Sequence, residues 1–128
     1  MASFERFEDI IAWQRGRELC QLVYAATKKP GFSRDRGLCE QIRRAAVSVI
    51  SNIAEGCESQ NNASFVRYLY IARGSCGEVR AQAYVARDQD YITEAEFLTL
   101  CATASEASRL IAGLLAYLRK HLTTTQSS

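Results

Sequence analysis

Apolar positions recur along this chain at steps of three and four, the spacing that lines one face of an α-helix. The clearest run is Phe65, Leu69, Ala72, Cys76, Val79, Ala83 and Ala86, which alternates the two steps as the seam of a helical bundle or coiled coil does. Ala72, Cys76, Ala83 and Ala86 are small, so a neighbouring helix can come close. A second seam, Phe97, Leu100, Ala104, Ala107, Ile111, Leu114 and Leu118, opens on Thr93-Glu94-Ala95-Glu96. That opening is a capping box, in which the Thr hydroxyl and Glu carboxylate satisfy each other's orphan amides. Upstream, Leu38, Ile42, Ala45, Val49 and Ile53 predict a helix that starts after Ser33-Arg34-Asp35 and stops near Gly56, since cap side chains open helices and glycine commonly closes them. The first helix is expected from about Glu8 to Lys29, with Ile10, Trp13, Cys20 and Val23 on its apolar face and an interruption at Gly16-Arg17. Lys28 and Lys29 suit its carboxyl end, where the helix dipole favours cations.

The breaks between these runs are equally legible. Pro30-Gly31 marks a chain reversal, Ser59-Gln60-Asn61-Asn62 a polar loop with a new cap, and Asp88-Gln89-Asp90 the end of the third helix. No segment alternates with period two between hairpin turns, so strands have no support. Four helices with short connections predict an all-α, antiparallel up-down-up-down four-helix bundle. The third and fourth helices are expected to form its central hairpin. Residues 1–122 make one domain, and 123–128 a disordered polar tail.

Composition fits that picture. A chain of 128 residues, 48% hydrophobic with a single proline, suits one domain with a real core. No basic segment, apolar run and cleavage site follow one another at the start, so a cytoplasmic location is expected. Arg or Glu interrupts every apolar stretch before membrane-spanning length, and no membrane association is expected. Cys20, Cys39, Cys57, Cys76 and Cys101 are widely spaced, odd in number and without a C-x-x-C pair. They read as reduced, mostly buried thiols rather than disulfides or zinc ligands.

The chemistry of catalysis finds few residues to work with. The only histidine, His121, sits near the carboxyl end, which disfavours nucleophilic triads, and no Glu-x-x-His pair offers a di-iron site. Gly74-Ser75-Cys76-Gly77 lacks the spacing and lysine of a phosphate loop and reads as a close-packing element. No enzyme activity, cofactor, metal or small-molecule substrate is expected.

The cations are more informative than their sum. A formal charge of +2 comes from thirteen arginines and three lysines against fourteen acids, and Arg is the side chain of bidentate carboxylate and phosphate contacts. Arg73, Arg80 and Arg87 recur every seven residues, each one position after a seam residue, and form a cationic line beside the seam. Val66 stands where the line would continue, and Arg67 lies about 100° round the helix. Arg43 and Arg44 stand together near the middle of the second helix, in an otherwise apolar-periodic stretch. Two accounts stay open: an Arg–Glu network with Glu40, Glu55 and Glu78, within the chain or between copies, or a surface for phosphate backbones. Phe65 lies on the seam while Tyr68 and Tyr70 project to either side, as expected where a bundle associates with copies of itself. Asn52 and Glu55, at the end of the second helix, either satisfy backbone groups there or meet a partner.

Phe7 to Gln14, Gln41 to Gly56 and Phe65 to Ser75 resemble the bacterial four-helix-bundle proteins encoded in intervening sequences of 23S ribosomal RNA genes. The resemblance covers the first three helices, the fourth agreeing in length and character. It implies an all-α homopentamer without known enzymatic activity, and leaves open an association with RNA or an RNA-associated protein. A more distant likeness, to the accessory protein of diversity-generating retroelements, implies direct nucleic-acid binding, although that protein is basic and this chain nearly balanced. Ile50 stands where the family often has proline, so a proline-dependent bend is expected to be softened. The motif's polar members are Arg43, Arg44, Asn52 and Glu55, to which the family assigns no role.

Overall fold

The computed structural model describes residues 4–127, with side chains described to 121. The polar tail expected over 123–128 lies outside the residues whose side chains are described. Four long helices, α1 (Ile11–Thr27), α3 (Arg36–Glu58), α4 (Asn62–Asp88) and α5 (Glu94–Ser127), are joined by short connections, one of which holds the single-turn helix α2 (Pro30–Ser33). No strand occurs among the described residues. Around the bundle α1 touches α3 and α5, and α4 touches the same two, so consecutive long helices are neighbours. The most extensive contact is between α3 and α4, not in the α4–α5 hairpin expected to be central.

The helices α3, α4 and α5 start where a cap side chain dictates, whereas α1 and α2 open on Ile10 and Lys29 without a side-chain cap. Asp35 accepts from the Leu38 amide at 3.1 Å, and Asn61 from Ser64 at 2.9 Å. At α5 the Thr93 amide donates to Glu96 at 2.7 Å and the Glu96 amide to the Thr93 hydroxyl at 3.1 Å, the reciprocal capping box. The α3–α4 and α4–α5 turns pass through Gln60 and Asp90 at φ 51° and 60°, the left-handed region that reverses the chain.

Four sequence expectations are corrected. The first helix begins at Ile11 rather than Glu8, because Phe7–Asp9 forms a 3-10 turn and Ile10 is extended at φ −78°, ψ 121°. Its buried residues are Ala12, Gly16, Leu19, Cys20, Val23, Ala26 and Thr27, which include the expected Cys20 and Val23. Gly16 is therefore part of the stripe and not a gap in it; a Cβ there would lie 2.9 Å from Ile50 and 3.0 Å from Val49. The helix α3 runs two residues past Gly56, which is buried beneath Phe65 and Tyr68, and it is continuous through Ile50. On α5 the buried residue is Leu115, with Leu114 half-buried. A straight α-helix drifts by about 20° per heptad, so between Ile111 and Leu118 the stripe moves one position, from Leu114 to Leu115.

The core has two halves. Leu19, Val23, Phe32, Ile42, Val79 and Phe97 anchor one, and Ile53, Phe65, Leu69, Ile111 and Leu118 the other. Near their junction the Ser75 hydroxyl donates to Ser48 Oγ at 2.8 Å, which satisfies two polar groups across the α3–α4 contact. At the α2 end, Tyr91 stacks on Phe32 and its hydroxyl donates to Asp35 at 3.0 Å. Lys29 meets Glu96 at 2.6 Å in the same region. By length and composition alone the Glu94–His121 part of α5 is long and apolar enough to cross a bilayer, at a mean hydropathy of 1.2, a test that the core helix of a bundle also passes. Glu106 interrupts that apolar stretch and pairs with Arg15 of α1 at 3.0 Å.

Candidate functional site

The arginines singled out by their spacing fall into three environments. Arg43 is half-buried and held: its Nε donates to Thr27 Oγ1 at 2.8 Å, and its guanidinium carbon lies 4.6 Å from the centre of the Tyr24 ring. Arg44, the next residue, turns about 100° away and is exposed. Arg87 is half-buried across Phe97 at 4.1 Å and Tyr84 at 5.2 Å, with Glu94 at 3.4 Å. Arg73 and Arg80 are exposed. The heptad line thus has two free members and one that is part of the packing.

The Arg–Glu network within the chain is not what forms. Among the described residues Arg43, Arg44, Arg73 and Arg80 have no ion pair, and Glu40, Glu55 and Glu78 serve none of them. The carboxylates that do pair are Glu8, Glu18, Glu94, Glu96 and Glu106. Arg15 bridges Glu18 at 2.7 Å and Glu106 at 3.0 Å; these partners, the hydrogen bond to Glu18 first, push its pKa further up. Asn52 and Glu55 also separate. Asn52 Nδ2 donates back to the Ser48 carbonyl and hydroxyl at 2.8 and 3.0 Å, extending the Ser48–Ser75 link, while Glu55 is exposed. Asn52 therefore serves the middle of α3 rather than its end.

The outer face of α4 carries an order that the seam had obscured. Tyr70, Arg73, Gly77, Arg80, Tyr84 and Arg87 step by three and four, and so do Ile71, Gly74, Glu78, Ala81 and Val85. Tyr70, Ile71, Tyr84 and Val85 are 46–50% exposed. A Cβ at Gly74 or Gly77 would meet nothing within 4 Å, so the close packing expected of these glycines is absent inside the bundle. At the two ends of the line, Tyr70 accepts from Arg119 at 2.6 Å and Tyr84 lies edge-on to Phe97 at 4.8 Å. Tyr68 projects the other way, is half-buried, and packs over Gly56.

The thiols are free: Cys20, Cys39, Cys57 and Cys76 are buried, and Cys101 is half-buried. Burial pushes Cys20 and Cys76 up to about 11, so they carry almost no thiolate near neutrality. His121 Nδ1 lies 3.0 Å from the Tyr117 carbonyl oxygen, one turn back on its own helix. No group of three or more metal-ligating side chains occurs among the described residues.

Two contributors escaped the sequence reading. Thr27 was hidden as the last residue of α1, although a hydroxyl on the apolar stripe signals a polar contact. Tyr24 lies off that stripe, and only the fold brings it to Arg43.

Solved structures of this fold include a protein of unknown function from the S23 ribosomal protein family of Bacteroides thetaiotaomicron, which is 20% identical, with a TM-score of 0.76 over 83% of this chain and 96% of that one. No curated protein sequence matches the chain. Residues 8–113 match the family described as 23S rRNA-intervening sequence protein. That match runs from the second residue of the 3-10 turn through α1 to α4 and into α5 as far as Gly113, and the chain belongs to this family.

Proposed function

We propose that the chain is a non-enzymatic, homo-oligomeric four-helix bundle, pentameric and cytoplasmic, that acts as a scaffold or interaction module associated with RNA or an RNA-associated protein. The observation that carries this reading is the outer face of α4. Ile71, Gly74, Ala81 and Val85, with Glu78 between Gly74 and Ala81, follow the three-four spacing of a seam on the side turned away from the core. Exposed glycines inside a helix cost about 1 kcal/mol each relative to alanine. Gly74 and Gly77, one turn apart with open space above them, let another helix approach closely. Light scattering across a dilution series tests the reading: a mass of about five times 14.3 kDa is expected, and a stable monomer at all concentrations sinks it.

A second reading, a direct nucleic-acid-binding accessory protein, is favoured by Arg73 and Arg80. Both are exposed, without ion pairs among the described residues, and lie in one line with Tyr70 and Tyr84. Phosphate contacts release counterions, so binding would weaken steeply with salt. Charge reversal of Arg73 and Arg80 is expected to abolish low-salt RNA binding; unchanged affinity removes this surface.

A further inference from the structure

Beside α2 the bundle opens into a cleft of about 250 Å³, lined by Thr27, Ser33, Arg36, Cys39, Glu40 and Arg43. Arg43 is the fixed part of it. Thr27 is fully buried, and its hydroxyl donates toward the Val23 and Tyr24 carbonyls at 3.0 and 3.1 Å, leaving the oxygen to accept from Arg43 Nε. With the Tyr24 ring against the guanidinium, the side chain is anchored through Nε and one face. Its Nη groups make no hydrogen bond among the described residues, so a fork of donors suited to phosphate oxygens remains available.

Arg36, Glu40 and Arg43 follow one another at steps of four and three on α3 and share that face. Helix spacing favours ion pairs between them, yet Glu40 pairs with neither arginine among the described residues. Both cations are thus left for a ligand, and Glu40 offers an acceptor between them. A carboxylate is the group that accepts from ribose hydroxyls in dinucleotide sites of other folds, and Glu40 offers the same chemistry here. The cleft is smaller than the roughly 300–1,000 Å³ of typical small-molecule pockets and suits a compact anionic group.

We propose that this cleft binds a phosphorylated ribose, the phosphate on Arg43 and Arg36 and a ribose hydroxyl on Glu40. The inference deepens the RNA-associated reading and rests on it. Thr27 is a positioning residue that acts through Arg43. The phosphorylated ribose comes either from a free nucleotide or from the end of an RNA strand, and both present the same groups. The 2′-hydroxyl on Glu40 makes the site prefer ribose over deoxyribose.

Calorimetric titration of the full chain at low salt tests this. The probes are ribose 5-phosphate, adenosine 5′-monophosphate, its 2′-deoxy counterpart and a 5′-phosphorylated RNA oligonucleotide. The ribose compounds are expected to saturate one site per chain, and the deoxy counterpart to bind at least fivefold more weakly. Arg43→Lys keeps the charge but loses the fork and the Nε contact, and is expected to weaken binding at least tenfold. Thr27→Val, with its charge and volume conserved, weakens it in the same direction, and Glu40→Ala removes the ribose preference while keeping phosphate binding. Helical circular dichroism verifies that each variant is folded. Tighter binding of the oligonucleotide than of the mononucleotide identifies an RNA end as the ligand, and the reverse identifies a free nucleotide. Absence of saturation by every probe, equal affinity for the deoxy compound, or unchanged affinity in folded Arg43→Lys overturns the proposal. A pentamer that binds none of the probes fails here and leaves the scaffold standing. A monomer that binds them does the opposite.

Discussion

At Gly56 a single methyl group decides whether α3 and α4 can close. A Cβ there would sit 2.7 Å from Phe65 Cδ1, 3.1 Å from Tyr68 Cβ and 3.3 Å from the Phe65 backbone. The last two cannot swing away as a flexible side-chain end can. Gly56→Ala is therefore expected to destabilise the bundle by about 1–3 kcal/mol, the usual range for overpacking, even though alanine is the better helix former. Urea denaturation followed by circular dichroism checks this, and an unchanged or higher midpoint contradicts it. The same residue shows what sequence can and cannot tell. A glycine at the end of an apolar run reads as a helix terminator, and a glycine under an aromatic ring is written with the same letter. Only the neighbouring helix distinguishes them, and the turn falls instead to Gln60. The thiols give a second test at this scale. With Cys20 and Cys76 buried and held at about 11, and Cys101 the least buried of the five, alkylation of the folded protein near pH 8 is expected to modify Cys101 first. Peptide mass spectrometry reads the order, and early loss of Cys76 would mean the core opens.

Among the elements, the start of α5 shows how a local motif is given a tertiary role. Thr93-Glu94-Ala95-Glu96 identifies the helix from sequence alone because a capping box involves only four consecutive residues. Its link to Lys29, across 67 positions of chain, leaves no local trace. The hydrogen bond from Lys29, and then the Thr93 amide, hold the Glu96 carboxyl below its ordinary range. A carboxyl with a depressed folded pKa stabilises the native state above its unfolded pKa, and that contribution is lost as pH falls through the folded value. Glu96→Gln can still cap the helix but cannot pair with Lys29. It is expected to cost about 0.5 kcal/mol at pH 7, in keeping with a solvent-accessible pair, and nothing at pH 2. Thermal denaturation at both pH values checks the difference, and an equal loss at the two sets the ion pair aside. The seams of α3 and α4 were legible for the complementary reason, that a periodic stripe needs no knowledge of its partner. On α5 the assumption of strict heptads chose Leu114, whereas a straight helix turns the stripe onto Leu115.

For the whole molecule the decisive question is what the outer face of α4 is for. Inside one chain Gly74 and Gly77 have no packing duty, and replacing an exposed helical glycine by alanine stabilises a helix by about 1 kcal/mol. Gly74→Ala and Gly77→Ala are thus expected to raise the stability of the isolated bundle. In an assembly built on close approach at this face they act in the opposite sense, because each methyl pushes the neighbouring copy outward. The two effects separate by concentration: at low concentration the double variant unfolds at higher urea than the parent chain, and at high concentration light scattering finds it less associated. Gain in both measurements would mean that α4 is not the contact and that its glycines serve neither packing nor assembly. Gain in the first and loss in the second ties the helix-destabilising residues to a second copy. It would also explain why a helix with so regular an inner seam tolerates two glycines on its opposite side.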